Sequence, residues 1–252
     1  MALYIFSDAH LGSDSSETEQ RKQARIAELV KLVEKDGDRL VILGDLFDFW
    51  FEYKHAIPKE HTDTLFMLRE LVRRGIAVDY VSGNHDFWMD DYFEKHIGVH
   101  VHRDRLDLEY AGKKLHLLHG DGLAKADRGY RVLKMILRNR FNIWLYRKLP
   151  PDWAIPLAKW VSGSSRQYNS RRDHTFLPDY ERYALAQLDH GFDVVVIAHL
   201  HVPICVEHGP KTYINTGDFI HHFTYARIDQ NGARLCRLEN HDNAESNTEA
   251  AG

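Results

Sequence analysis

Hydrophobic residues in the first half of the chain form short continuous runs separated by longer segments with a helical period. The short runs predict strands, and apolar residues three or four positions apart predict helices. These elements alternate in the order strand 3–7, helix 18–34, strand 40–43, helix 61–74 and strand 76–81. Gly37 and Gly75 follow the two helices, as is typical of helix ends. This alternation predicts parallel strands joined by helical crossovers.

The second half of the chain is richer in strands. Apolar runs predict strands at 99–101, 106–110, 114–118, 194–198, 204–207, 213–215, 223–228 and 234–238. Helical spacing predicts helices at 90–96 and 178–190, and a long helical region at 128–162 with breaks at Pro150-Pro151 and Pro156. We therefore expect an α/β fold of two mixed sheets packed face to face, a four-layer α/β/β/α sandwich with a helical insert.

The same pattern defines the domain organisation. We expect one domain over residues 1–239, which includes a helical insert at 125–177 (called the insert below). Residues 240–252 are polar and small, which predicts a disordered tail. With 252 residues and 44% hydrophobic content, the chain can bury one large core, or a core and a modest appendage.

Composition narrows the class of protein. The formal net charge of −4 gives no sign of a nucleic-acid partner. Cys205 and Cys236 lack the spacing of a metal motif, and Met1 leads almost directly into a strand, which leaves no room for a signal peptide. No apolar run approaches the roughly 20 residues of a spanning helix. We expect a reduced, cytoplasmic protein.

Five predicted strands share a feature at their C-terminal ends, which is where an open α/β sheet places its ligands. Metal-capable side chains follow each strand in the segments Asp8-Ala-His10, Gly44-Asp45, Gly83-Asn-His-Asp86, His119-Gly-Asp121 and His199-Leu-His201. Each segment alone has a structural explanation, such as a carboxylate that caps a turn or a histidine satisfied in the core. Five such coincidences at successive strand ends favour a functional site.

The candidate donors are oxygens and imidazole nitrogens, with no thiolate among them. They are Asp8, His10, Asp45, Asn84, His119, His199 and His201. Seven donors exceed the needs of one tetrahedral ion, whereas two ions that share a carboxylate would use them all. Such donors suit Mn²⁺, Fe or Zn²⁺ better than Ca²⁺, and we expect Mn²⁺. Two metals about 3.5–4 Å apart can hold a hydroxide for attack on phosphorus and clamp the attacking and leaving oxygens.

These motifs, in this order, resemble the calcineurin-like metallophosphoesterase superfamily over nearly the whole chain. The resemblance implies that one metal is held by Asp8, His10, Asp45 and His201. It implies that the other is held by Asn84, His119, His199 and the same Asp45, which bridges the two ions. It further implies that His85, held by Asp86, points at the phosphate and either stabilises charge or protonates the leaving oxygen.

A narrower resemblance is to the bacterial UDP-2,3-diacylglucosamine pyrophosphohydrolases, which release UMP and a lipid monosaccharide phosphate in lipid A synthesis. It rests on the stretches 44–47, 119–130 and 165–169. The substrate contacts that it implies are Asn84, His85, Asp127, Tyr130, Ser165, Asn169, Arg172 and His199. His85 stands where well-known members of that family carry arginine, and the segment 198–202 also departs from their pattern. The alternative is a soluble metallophosphoesterase that acts on a nucleotide, nucleic acid or phosphoprotein.

The insert concentrates positive charge and aromatic residues. Residues 128–172 contain 11 Lys and Arg against one acid, Asp152, a local charge of +10 on an acidic chain. Basic, Trp-rich amphipathic helices bind anionic membrane surfaces, and they could equally roof a cavity for acyl chains. A plain lid packed on the sandwich is one alternative. Nucleic acid is a competing partner for such a basic patch, although the apolar run 135–145 favours lipid. We expect a lipid-linked nucleotide sugar as substrate, peripheral attachment to the inner membrane, no nucleic-acid partner and a monomer.

Overall fold

The computed structural model describes residues 1–124, 128–158 and 173–239. Within these ranges the strands are β1 (Ala2–Phe6), β2 (Gly37–Ile42), β3 (Ala77–Val81), β4 (His100–His102), β5 (Arg105–Tyr110), β6 (Lys113–Leu118), β7 (Val194–Ile197), β8 (Pro203–His208), β9 (Lys211–Thr216), β10 (Thr224–Asp229) and β11 (Gly232–Arg237). The strand β2 begins three residues before the predicted apolar run, because Gly37 already pairs with Ala2 of β1.

The strands form two mixed sheets, as the sequence predicts. The first sheet has the order β11-β10-β1-β2-β3-β4, with β1 to β4 parallel and β10 and β11 antiparallel to their neighbours. The second sheet has the order β5-β6-β7-β9-β8, in which β6, β7 and β9 are parallel and the two edge strands are antiparallel. The predicted β-α-β-α-β unit is confirmed as the parallel part of the first sheet.

The helices flank the sheets and occupy the insert. They are α1 (Ser16–Asp36), α2 (Thr62–Arg73), α3 (Arg128–Leu137), α4 (Arg140–Tyr146), α5 (151–158) and α6 (Asp173–Asp189), with a 3₁₀ turn at Lys59–His61 and a π-helical turn at Phe93–Ile97. No helix in the part of the chain that the structure describes has the length and hydrophobicity needed to cross a membrane.

Alternating side chains of β1 show how the layers pack. Leu3 and Ile5 belong to the core between the sheets, where they are clustered with residues of the second sheet such as Val196. Tyr4 and Phe6 point the other way, into the core that α1 and α2 cover. On the outer face of the second sheet, α6 closes a third core. The predicted α/β/β/α layering is therefore confirmed.

Several helices differ from the predictions. The helix predicted at 90–96 is a π-helical turn at Phe93–Ile97, and α1 extends two residues beyond each predicted end. The helix α6 begins at Asp173, five residues before the predicted start, and contains Pro178. Buried residues four positions apart, including Phe176 and Tyr180, pack on the second sheet, and this burial outweighs the backbone hydrogen bond that proline cannot make. In the insert, the helix breaks before Asn139, whose side chain accepts a hydrogen bond from the Phe141 N–H as the N-cap of α4.

Of the two predicted proline breaks, one is observed and the other is not. The described helix α5 begins at Pro151, which agrees with the predicted break at Pro150-Pro151. It continues through Pro156, where the sequence predicted an interruption. The loss of a single backbone hydrogen bond at Pro156 does not end the helix.

Candidate dimetal site

The seven candidate metal ligands converge at one edge of the sandwich. Asp8 and His10 follow β1, Asp45 follows β2, and Asn84 follows β3, all in the first sheet. His119 follows β6, and His199 and His201 follow β7, in the second sheet. Since the parallel strands of both sheets end at this edge, the site is assembled from both halves of the sandwich.

One group of atoms lies around Asp8. The Nε2 atom of His201 is 3.3 Å from Oδ1 of Asp8 and 3.3 Å from Nε2 of His10. The same His10 nitrogen is 3.7 Å from Oδ2 of Asp45. Asp8, His10 and His201 thus present three ligand atoms close enough to share one cation.

A second group lies on the other side of Asp45. The Nε2 atom of His119 is 3.3 Å from Oδ2 of Asp45, 3.1 Å from Oδ1 of Asn84 and 3.2 Å from Nδ1 of His199. Asp45, His119 and His199 form a further set of ligand atoms that could hold a metal. Because Oδ2 of Asp45 faces both groups, its position suits a shared ligand.

The backbone at these positions is unusual. Five candidate ligands have left-handed backbone conformations: Asp8 (φ 54°), His10 (φ 44°), Asp45 (φ 52°), His199 (φ 73°) and His201 (φ 53°). A non-glycine residue in this region costs about 1–2 kcal/mol, and Asp and His are among the types that tolerate it best. The left-handed conformation turns each loop sharply and directs the side chain back towards the site. Such strained residues are common at functional sites.

Most of the donors are in the protonation state that a metal requires. Burial raises the pKa of Asp8, but the interaction with the nearby His201 imidazole outweighs it and lowers the pKa to about 2. Burial lowers the pKa of His10 and of His199 to about 4, so both rings are neutral at pH 7 and have a lone pair to offer. Burial opposes the charge of His119, yet the Asp45 carboxylate raises its pKa to about 10.

The donor set fits a pair of divalent cations. Among the described residues, Oδ1 of Asp8 is buried and accepts no hydrogen bond of normal geometry, with Nε2 of His201 3.3 Å away, although an unsatisfied buried carboxylate oxygen is costly. The Nε2 atoms of His10 and His201 face each other and can share at most one proton, so at least one of them presents a lone pair. A cation between these atoms would satisfy them, and the mixture of oxygen and imidazole donors is that of a transition-metal site.

His85 lies beside the metal-ligand atoms, but its partner differs from the predicted one. Its Nδ1 atom is 3.0 Å from the main-chain oxygen of Asp48 and 3.5 Å from Oδ1 of the same residue. With Nδ1–H donating to Asp48, the Nε2 atom faces the site, 3.9 Å from Oδ2 of Asp45. The imidazole therefore lies next to the candidate ligands without being one of the seven donors.

The expectation that Asp86 holds His85 is wrong. The Asp86 carboxylate accepts hydrogen bonds from the N–H groups of Leu46 (2.9 Å) and Gly83 (2.8 Å) and from the Tyr80 hydroxyl. It braces the loop after β3 against the loop after β2. Burial and the charge of Asp45 raise the pKa of Asp86 to about 6. Asp48 was not among the residues predicted for the site, although its position three residues after Asp45 in the same loop was a usable signal.

A cavity of about 360 Å³ opens from this site beneath the insert. At one end it is lined by Asn84, His85 and Tyr130, three of the predicted substrate contacts. The other lining residues are mostly apolar and come from the loops after β2 and β3 and from the insert helices. Besides the polar Asp48 and Asn142, they are Phe49, Phe51, Trp88, Leu133, Ile136, Leu137, Ile143, Tyr146, Leu157 and Ala158. His199 lies near this end, 6.2 Å between its ring centre and that of Tyr130. The predicted contacts Asp127, Ser165, Asn169 and Arg172 lie outside the described residues.

A first prediction concerns His85. Replacement by alanine should lower kcat by about 10²–10⁴-fold, because a positioned proton donor contributes that much. The metal content, measured by inductively coupled plasma mass spectrometry, should stay at the wild-type value. Asp48→Asn keeps the main-chain oxygen that orients the ring and changes only the carboxylate 3.5 Å from Nδ1, so it should lower kcat less than His85→Ala does. A His85→Ala protein that loses metal together with activity would make His85 a ligand instead.

Comparisons with known proteins show which proteins this chain is similar to. A family model described as calcineurin-like phosphoesterase matches residues 1–203. A UDP-2,3-diacylglucosamine hydrolase from Porphyromonas gingivalis is 30% identical over 245 residues, which are 90% of this chain and 94% of that protein. A protein of the same name from Aeromonas salmonicida is 30% identical over 210 residues, 81% of this chain and 78% of the relative. Among solved structures, the phosphoesterase Yfce from E. coli is 18% identical with a TM-score of 0.48, covering 95% of this chain and 94% of its own.

The family model spans most of the chain, including all seven candidate ligands. Its phosphoesterases are metal-dependent hydrolases that use two divalent ions, which matches the two groups of histidine and aspartate side chains around Asp45. The chain belongs to the calcineurin-like phosphoesterase family.

Proposed function

We propose that this protein hydrolyses the diphosphate of UDP-2,3-diacylglucosamine, giving UMP and 2,3-diacylglucosamine 1-phosphate. The observation that carries the proposal is the cavity, because it joins a phosphoesterase site to a long apolar wall. A phosphate held near His85 would place attached acyl chains against the insert helices. The full-length relatives named UDP-2,3-diacylglucosamine hydrolase support the same substrate.

For the metals we propose the assignment that the sequence implied. One ion would be held by Asp8, His10, Asp45 and His201, and the other by Asp45, Asn84, His119 and His199. We propose Mn²⁺ as the cation, with Fe and Zn²⁺ as alternatives that the same donors accept. Such ions lower the pKa of a water molecule and neutralise charge on the phosphate.

The side chains of this chain would then orient the substrate. Asn84, Tyr130 and His199 lie around the opening of the cavity, where they can contact the phosphates or the sugar. We propose that Nε2 of His85 donates a proton or a hydrogen bond to the leaving oxygen, while Asp48 keeps the ring in place. The apolar roof of the cavity limits the access of bulk water and strengthens these polar contacts.

The outer side of the insert supports a second part of the proposal, attachment to an anionic bilayer. Large apolar side chains are exposed there, among them Met135 (68%), Phe141 (65%), Trp144 (54%) and Trp153 (79%). Exposed apolar residues with interspersed Arg and Lys are the composition of an interfacial helix. Each cation near an anionic surface contributes about 1 kcal/mol, which salt screens. We also propose that the enzyme acts as a monomer and binds no nucleic acid.

The test of the substrate compares UDP-2,3-diacylglucosamine with its deacylated counterpart, in the presence of Mn²⁺ and with release of UMP as the readout. We expect much faster hydrolysis of the acylated compound, because burying even one apolar side chain's worth of surface contributes about 1.5–3 kcal/mol. Equal rates with the two compounds would refute the lipid substrate and leave a soluble phosphodiesterase.

Two neighbouring residues of α4 allow the roles of the cavity and of the proposed membrane-binding surface to be tested separately. Ile143 lines the cavity, whereas Trp144 is exposed. Ile143→Ser should raise KM for the acylated substrate about tenfold, since it removes an apolar contact. Trp144→Ser should leave that KM unchanged in detergent solution and weaken binding to anionic vesicles at low salt. If both variants behave alike in both assays, the cavity and the surface are not separate sites.

A further inference from the structure

Arg138, a cation of the insert, lies where two loops of the site meet. It follows α3 directly, and only 17% of its side chain is exposed. Its Nη2 atom is 3.4 Å from the main-chain oxygen of Gly83 and 3.3 Å from Oδ2 of Asp121. Its guanidinium carbon lies 3.9 Å from the centre of the Phe87 ring, a cation–π contact.

These contacts join loops that belong to different sheets. Gly83 and Phe87 flank the segment 84–86 beyond β3, in the first sheet. Asp121 lies two residues after His119, beyond β6 in the second sheet. The planar fork of arginine can donate to two acceptors while its face stacks on an aromatic ring, which the ammonium of lysine cannot do.

The partner of Arg138 is itself a buried charge. The Asp121 side chain is 6% exposed and also contacts Nζ of Lys134 at 2.7 Å and the hydroxyl of Tyr130 at 2.9 Å. All three donors come from α3 or from the residue after it. A buried carboxylate that meets several cations is strongly held in place, because leaving any of these charges unpaired is costly. Asp121 therefore ties the described part of the insert to the loop after β6 of the second sheet.

We propose that Arg138 is a positioning residue for the site. Paired with Asp121 and stacked on Phe87, it holds Asn84 at a fixed separation from His119 and keeps the insert docked over both. The inference rests on the proposed function in one respect only, that Asn84 and His119 are ligands of the same metal. Displacement of reacting groups by about 1 Å costs roughly 100-fold in rate, so a tie of this kind affects the chemical step.

The experiment compares Arg138→Met, Arg138→Lys and the matched control Arg140→Met, a cation exposed at the start of α4. The readouts are kcat and KM for bis(p-nitrophenyl) phosphate and the Kd for Mn²⁺ from calorimetric titration. Arg138→Met should lower kcat about tenfold and raise the Kd of the weaker Mn²⁺ site about tenfold, the effect of losing one charged hydrogen bond. KM should change by less than about threefold, lysine should restore part of the loss, and Arg140→Met should match wild type.

A double-mutant cycle with Asp121→Asn tests the pairing, since coupled residues give losses that do not add. Additive losses, or an equal effect of Arg140→Met, would overturn the proposal in favour of a general charge effect. A change limited to KM for the acylated substrate, with diester kcat and Mn²⁺ affinity intact, would make Arg138 part of the cavity roof only. The diester kcat and the Kd for Mn²⁺ are independent of the lipid substrate. Failure to cut UDP-2,3-diacylglucosamine would therefore refute the proposed function without deciding whether Arg138 positions the site.

Discussion

Asp45→Ala should abolish phosphodiester hydrolysis and strip the protein of most of its metal. Oδ2 of Asp45 lies 3.3 Å from Nε2 of His119 and 3.7 Å from Nε2 of His10, so the carboxylate is the contact between both groups of donors. Removing one partner from a buried charge cluster costs about 3–5 kcal/mol, which corresponds to about 10²–10⁴ in affinity for each ion. Metal content and kcat/KM measured on the same preparation check this result.

The matched control is Asp63→Asn, which removes an exposed carboxylate from α2 and should leave both quantities unchanged. Treatment of the wild-type protein with a chelator should reproduce the Asp45→Ala defect, and Mn²⁺ should reverse it. Full activity in Asp45→Ala, or in the metal-stripped protein, would contradict the two-metal reaction.

Gly83→Ala should reduce phosphodiester hydrolysis nearly as much as Asp45→Ala does, although it adds only one methyl group. A Cβ atom at Gly83 would lie 2.0 Å from Oδ1 of Asp45 and 2.6 Å from its main-chain nitrogen. Since neither atom can retreat without moving the loop after β2, the carboxylate must leave its position between the two groups of donors. We expect kcat/KM to fall by at least about 100-fold, the cost of a misplacement of about 1 Å.

Gly129→Ala is the control, because a Cβ atom there meets nothing within 4 Å. It should keep full activity and slightly raise the melting temperature, as alanine favours the helix. Circular dichroism and metal analysis of Gly83→Ala separate a local displacement from unfolding. A folded Gly83→Ala protein with normal metal content and rate would contradict the close packing of these two loops.

The convergence of the candidate donors was predictable from the sequence, because the signal is local. Asp8, Asp45 and His119 each follow a buried apolar run at once, and a strand end has a definite place in an α/β sheet. The layers were predictable for the same reason, since the spacing of apolar residues differs between strands and helices.

Features that depend on tertiary contacts were not predictable. Asp48 and Asp86 lie in similar polar loops, and only the packing of those loops decides that Asp48 faces His85 while Asp86 binds backbone N–H groups. Pro178 suggested a helix start, but burial of Phe176 favours an earlier start, and the helix begins at Asp173. The left-handed backbone at the donors, such as His199, also has no signature in residue type alone.

The assembly of the site from both sheets has a consequence for folding. The contact between Asp45 and His119 joins a loop of the first sheet to a loop of the second, and the remaining donors are divided between the sheets in the same way. Cations held there would bind the native arrangement and have far less affinity for separated sheets. By mass action, a ligand at 100 times its Kd adds about 2.7 kcal/mol to the free energy of unfolding. The metals would therefore act as a reversible cross-link between the two halves of the sandwich, so that resistance to heat rises and falls with the supply of free metal in the cell.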